Sequence, residues 1–155
     1  MNVAIEVRPE LRIAALRHMG PYHRISETFA QLRELAERAG LYAFGRPTLV
    51  AVYYDDPVAT PESELRSDAA IVIPEDVRVP DGLTEVWLPA GRYAHATHVG
   101  PYAQLGDVWA TFKGQWLPQS GEQLGTGKSY EVYVTTPMDA PAEELQTELY
   151  LPLAS

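Results

Sequence analysis

Shifted against itself by 80 residues, this chain aligns over seventy-five pairs without a gap, and fifteen of the pairs are identical. His18-Met19-Gly20-Pro21-Tyr22 falls on His98-Val99-Gly100-Pro101-Tyr102, Pro9 on Pro89, Gly45 on Gly125, Val52-Tyr53 on Val132-Tyr133, and Glu64-Leu65 on Glu144-Leu145. Glycine and proline are prominent among the matches, and both act on backbone dihedrals rather than on packing. Matched turn residues at one constant offset imply two copies of one supersecondary unit. The copies span residues 1–75 and 81–155, within a single domain of ordinary size. We expect them to pack about a pseudo-two-fold axis, with a ligand cleft at the seam.

Each copy carries the same local pattern. Alternating Val3, Ile5 and Val7 predict a first strand, and Pro9 breaks it. A second strand follows over 11–18, then the Gly20-Pro21 turn. A helix runs from 21 to 39, with Ile25, Phe29, Leu32 and Ala36 on one face and Gly40 as its stop. Strands follow over 48–54 and 67–73. The second copy repeats this with strands over 84–88 and 92–98, a helix over 101–116, and strands over 130–135 and 146–151. The helix stripe there is Leu105, Trp109, Phe112 and Trp116. The class is α+β: an antiparallel sheet with helices on one face.

Alternation along the strands predicts which side chains share a face. The aliphatic side chains Val132, Val134, Leu149 and Leu151 are expected to face the helix. That leaves Glu131, Tyr133, Glu148 and Tyr150 together on the other side. In the first copy the same reading turns Val50, Val52, Ala69 and Ile71 inward, and Tyr53 and Asp68 outward. The predicted site is a tyrosine-walled hollow with an acidic floor, with Trp116 near its edge. Tyrosine offers flat apolar area with a polar tip, and its ring face attracts cations. A half-buried carboxylate favours a neutralising partner. The combination suits amphipathic, cationic ligands.

Composition narrows the alternatives. A net charge of −9 repels a phosphate backbone, so direct nucleic-acid binding is not expected. No apolar run approaches the roughly 20 residues of a membrane helix, and the first residues do not read as a signal peptide, so a cytoplasmic location is expected. The chain has no cysteine, which removes disulfides and thiolate chemistry. Gly125-Thr126-Gly127-Lys128-Ser129 lacks the first glycine of a phosphate-binding loop, since Glu122 stands there, and a strand follows where a helix should. His95 and His98 point to opposite faces of their strand, so no metal site and no cofactor are expected. His18 and His98 are read as hydrogen-bonding the turns that follow them.

Several motifs in one order carry a resemblance. They are Leu88-Pro89-Ala90-Gly91-Arg92-Tyr93-Ala94, His98-Val99-Gly100-Pro101-Tyr102, Trp116-Leu117-Pro118, Tyr130-Glu131-Val132-Tyr133 and Glu148-Leu149-Tyr150-Leu151-Pro152. The first copy adds Leu16-Arg17-His18-Met19-Gly20-Pro21-Tyr22, Tyr54-Asp55-Asp56-Pro57 and Leu65-Arg66-Ser67-Asp68-Ala69. Together these resemble the gyrase-inhibitory-protein-like (GyrI-like) small-molecule-binding family of bacteria, which includes effector-binding domains of AraC- and MerR-type regulators. The resemblance implies a single domain of two strand-helix-strand-strand modules with a ligand cleft between them. It also implies that Glu148, inside the Glu-x-Tyr-x motif, anchors bound cations.

The ligand-binding candidates are thus Glu148, Tyr150, Tyr133, Tyr53, Glu131, Asp68 and Trp116. The leading expectation is a stand-alone binding protein for amphipathic or xenobiotic compounds, serving sensing, sequestration or resistance. Two alternatives stay open. One is a hydrolase of cyclopropane-bearing alkylating natural products, with Glu148 as general base. The other is a modulator of DNA gyrase, with the gyrase or a regulator as protein partner.

Overall fold

The computed structural model describes residues 1–43 and 45–155. Among these residues the order is β1 (Val3–Arg8), β2 (Leu11–Met19), α1 (Ile25–Arg38), β3 (Leu49–Tyr53), β4 (Arg66–Val72), β5 (Thr84–Leu88), β6 (Gly91–Val99), α2 (Leu105–Thr111), α3 (Leu117–Ser120), β7 (Ser129–Tyr133) and β8 (Gln146–Pro152). The chain divides into two compact units. One joins Met1–Pro9 to Pro89–Ser155; the other is Glu10–Leu88. The fold is α+β, as expected. None of the described helices is long and apolar enough to cross a membrane.

In the 10–88 unit the strands lie in the order β3-β4-β2-β5, and in the other unit β1-β6-β8-β7, with every pair antiparallel. These units follow different boundaries from the sequence copies. The first strand of each copy is exchanged: β1 pairs with β6, and β5 pairs with β2. Pro9 and Pro89 stand where the chain passes from one unit to the other. Proline has no N–H to give a ladder and fixes φ, so a strand ends there and the chain departs.

The Gly-Pro-Tyr turns work alike in both units. Gly20 N–H donates to Leu65 O at 2.8 Å, and Gly100 N–H to Leu145 O at 2.8 Å. Both glycines have positive φ, +115° and +145°, a region closed to most side chains. Pro21 and Pro101 then lead into short 3-10 turns, Tyr22–Arg24 and Tyr102–Gln104, before α1 and α2.

α1 buries Ile25, Thr28, Leu32 and Ala36 against the sheet. Phe29 is half-buried beside Thr28, whose hydroxyl lies 2.7 Å from His18 Nδ1, while His18 Nε2 lies 3.0 Å from Pro21 O. Leu41 N–H returns to Ala36 O at 3.0 Å, closing the helix at Gly40.

The second helix is longer than expected. After α2 it passes through a π-helical turn, Phe112–Trp116, into α3, and Gly121 ends it in the left-handed region. Pro118 explains the wide turn. A regular helix would drive its ring into the carbonyl of Gly114, and the π turn moves that carbonyl away. Under this helix lie Ala94, Ala96, Leu105, Phe112, Leu149, Leu151 and Leu153 as one buried cluster. Gly125 crosses the end of β8 so closely that a Cβ would meet Leu153 O at 2.5 Å.

The faces of β3 and β7 differ from expectation. Paired residues point the same way, and the register sets Tyr130 opposite Tyr150 and Val132 opposite Glu148. Glu131 and Tyr133 therefore lie with Leu149 and Thr147 on the helix side. Likewise Val52 opposes Asp68, while Tyr53 opposes Ser67 on the helix side. The reason is burial on both faces. Val50, Ala51 and Val52 are each fully buried, so hydrophobicity along the strand does not tell one side from the other.

Candidate functional site

The acidic site forms on the face of the β1-β6-β8-β7 sheet that turns away from the helix. Antiparallel register places Glu148 opposite Thr97, Tyr150 opposite His95, and Glu6 opposite Tyr93. One Glu148 oxygen, Oε2, accepts from the Thr97 hydroxyl and lies 2.7 Å from His95 Nε2. The other accepts from Gln146 Nε2 at 2.9 Å. His95 reaches the opposite way with Nδ1, 2.7 Å from Glu6 Oε1. A histidine thus bridges two carboxylates on neighbouring strands.

Burial pushes the Glu148 carboxyl upward, but hydrogen bonds from Thr97, His95 and Gln146 outweigh it. The result lies below the ordinary 4.5, so Glu148 is ionised at neutral pH. Its side chain is 15% exposed.

Beside the acid lies an aromatic stack. Tyr150 packs on His95 at 4.7 Å and on Tyr130 at 4.9 Å, both near parallel, and meets Tyr93 edge-on at 6.4 Å. The Arg8 guanidinium sits 3.9 Å from the Tyr150 ring centre. Its Nε donates to the Tyr130 hydroxyl at 3.0 Å. Burial raises the Tyr150 and Tyr130 phenols and pushes Tyr93 up to about 12, so all three stay neutral donors. A shallow, open hollow of about 740 Å³ adjoins this group. Val3, Ala4, His95, Thr97, Val99 and Trp116 line it.

The predicted residues divide. Glu148 and Tyr150 lie on this face, although Tyr150 is buried in the stack and is not an open wall, whereas Trp116 packs on the helix side against Phe112 and shares only the lining of the hollow with His95 and Thr97. Glu131 and Tyr133 do not lie on this face. Glu131 is 1% exposed under the helix, where Trp109 Nε1 and the Tyr133 hydroxyl each donate to it at 2.6 Å. Tyr53 packs on Tyr22, with ring centres 4.8 Å apart. Asp68 occupies the position equivalent to Glu148 in the 10–88 unit, but Arg17 Nε donates to it at 2.8 Å and the Tyr54 hydroxyl donates as well.

The sequence reading missed Glu6, Arg8, His95, Thr97 and Tyr130. Glu6 and Arg8 belong to the exchanged strand β1, so no pattern local to either copy places them here. His95 and Thr97 alternate with Tyr93 on β6, which was a usable signal once β6 was paired with β8.

Comparison with known proteins follows the same lines. Residues 1–154 match the family described as the GyrI-like small molecule binding domain. The chain is 34% identical over 138 residues to a DNA gyrase inhibitor of Yersinia enterocolitica, covering 84% of this chain and 83% of that protein. It is 28% identical over 161 residues to the probable transcriptional regulator YgiV of Escherichia coli K12, covering 99% of each. The crystal structure of the EcmrR C-terminal domain superposes with a TM-score of 0.80 at 16% identity, over 99% of this chain and 98% of that one, a likeness of fold. By its sequence match over nearly its whole length, this chain belongs to the GyrI-like small molecule binding domain family.

Proposed function

We propose that this protein binds amphipathic, cationic small molecules, with Glu148 as the charged anchor and the Trp116-edged hollow as the apolar seat. One observation carries the reading. Glu148 is anionic, and among its partners the one group that can bring positive charge is His95, whose two ring nitrogens lie 2.7 Å from Glu148 and from Glu6, so that one ring is divided between two carboxylates. The equivalent acid, Asp68, has a guanidinium already. A ligand cation would supply the full counter-charge that His95, divided with Glu6, does not give Glu148. The aromatic edge of Trp116 and the apolar lining from Val3, Ala4 and Val99 would take the rest of such a ligand. Sensing, sequestration and drug resistance are the roles such binding would serve.

Isothermal titration with tetraphenylphosphonium tests the reading. Glu148→Gln is expected to weaken binding by on the order of tenfold, or about 1.4 kcal/mol. The pH dependence has a defined sign. Because the carboxyl lies below its ordinary value, wild-type affinity should hold from neutral pH down to about 4.5 and fall only as Glu148 takes up a proton. The glutamine variant should lack that fall. Equal affinities for the two proteins would overturn the anchor role. Removal of many equivalents of a strained cyclopropane compound would instead assign hydrolysis, with Glu148 as base on water.

A second reading, action on DNA gyrase, is favoured by the Yersinia relative's name. The net charge of −9 would suit a basic patch on such a partner. A supercoiling assay with purified gyrase tests it; unaffected supercoiling would remove it.

A further inference from the structure

We propose that Arg8 is a built-in cation that caps the Tyr130–Tyr150 stack and must leave before a ligand cation can occupy those rings, which makes it a specificity-determining residue. This rests on the reading of the site as a cation binder. The guanidinium lies 3.9 Å from the centre of the Tyr150 ring, the position a bound cation would take. Its Nε also holds the Tyr130 hydroxyl at 3.0 Å. The negative face of a ring does not serve two cations at one place, so ligand and Arg8 compete.

Three features make Arg8 displaceable. Its side chain remains 26% exposed. Its contact with Glu6 is long, 3.6 Å from Nη1 to Oε2, and the other Glu6 oxygen is engaged by His95 at 2.7 Å. It is also the last residue of β1, directly before Pro9, so the side chain can swing outward without disturbing a central ladder. The rings it caps are already stacked and oriented by His95 and Tyr93. Removing Arg8 therefore uncovers the part of the Tyr150 ring it covers, held in place beside an anionic Glu148. The equivalent position in the other unit is Leu88, which is buried and has no charge to offer. In that unit the guanidinium over a tyrosine is Arg17's, 4.6 Å from the Tyr54 ring centre, and it is tied to the buried Asp68.

The test compares a cation with a neutral compound of similar bulk. Arg8→Gln is expected to tighten tetraphenylphosphonium binding about tenfold. Triphenylphosphine oxide affinity should change less than twofold. Arg8→Lys keeps the charge and should fall between. In the wild type, the Arg8 Nε–H resonance should be displaced by the Tyr150 ring current and return toward its ordinary position as tetraphenylphosphonium saturates the protein. This readout needs no variant, so it decides the matter even if Arg8→Gln folds poorly. If the wild type binds the cation through Glu148 but Arg8→Gln binds it no tighter and the Nε–H signal does not move, the Arg8 role alone fails. If neither wild type nor Arg8→Gln binds the cation, the cation-binding reading fails and the Arg8 role goes with it.

Discussion

Phe112→Ala is expected to destabilise the protein by about 3–5 kcal/mol, a large share of the roughly 5–15 kcal/mol that holds a domain of this kind together. Phe112 is fully buried at the centre of the cluster between the second helix and β6 and β8. Its ring stacks on Trp109 at 5.7 Å and meets Trp116 edge-on at 5.6 Å. The cost should sit at the high end because the site cannot collapse. Phe112 opens the π-helical turn that Pro118 demands, so the backbone there is not free to slide into the void. Urea denaturation checks this: the midpoint should fall with the slope unchanged. Phe112→Leu, which retains most of the volume, should cost far less. Because Trp116 rests on this ring and also edges the hollow, ligand affinity should weaken together with stability. A midpoint within error of wild type would mean the helix packs by other contacts.

Arg17→Met is expected to cost about 2–3 kcal/mol, less than the ~3–5 kcal/mol of a fully buried pair because Arg17 itself stays half in water. The acid left behind is the problem. The Asp68 side chain is 4% exposed, and without Arg17 it keeps the Tyr54 hydroxyl but loses its cation. Adding Asp68→Asn to Arg17→Met should recover part of the loss. The cycle tests coupling directly: strictly additive effects of the two substitutions would remove the pair as a unit. Glu148 provides the contrast, since the residue equivalent to Arg17 is Thr97. Two acids at matched positions thus serve different ends. One is closed by an internal cation. The other is steadied by neutral donors and a histidine.

Much of this was legible in the residues. The 80-residue offset located the turns, the helices and the strands, since glycine, proline and apolar spacing act locally. The Gly-Pro-Tyr turns behave as their dihedral constraints require. The placement of Glu148 on the face away from the helix and of Trp116 on the helix's packed stripe was also legible, through alternation and helix spacing. Glu131, Tyr133 and Tyr53 were misplaced for one shared reason. Strands buried on both sides show no polarity contrast, so which side faces the helix is decided by register with a neighbour, and one residue of error turns every side chain over. Glu131 is tolerated beneath a helix because Trp109 and Tyr133 bring donors to it, a fact that no property of β7 alone could announce.

What the sequence determined by itself is the periodic framework: which stretches are strand or helix, where the chain turns, and that an acid and aromatic residues recur near its end. Only tertiary structure decided the company those residues keep. Exchange of β1 brings Glu6 to His95 and Arg8 to Tyr150, pairs separated by 89 and 142 positions. Local propensity extends over a few residues, whereas strand pairing is a choice among distant partners settled by total burial and hydrogen bonding. The charge balance of the site is a product of that choice.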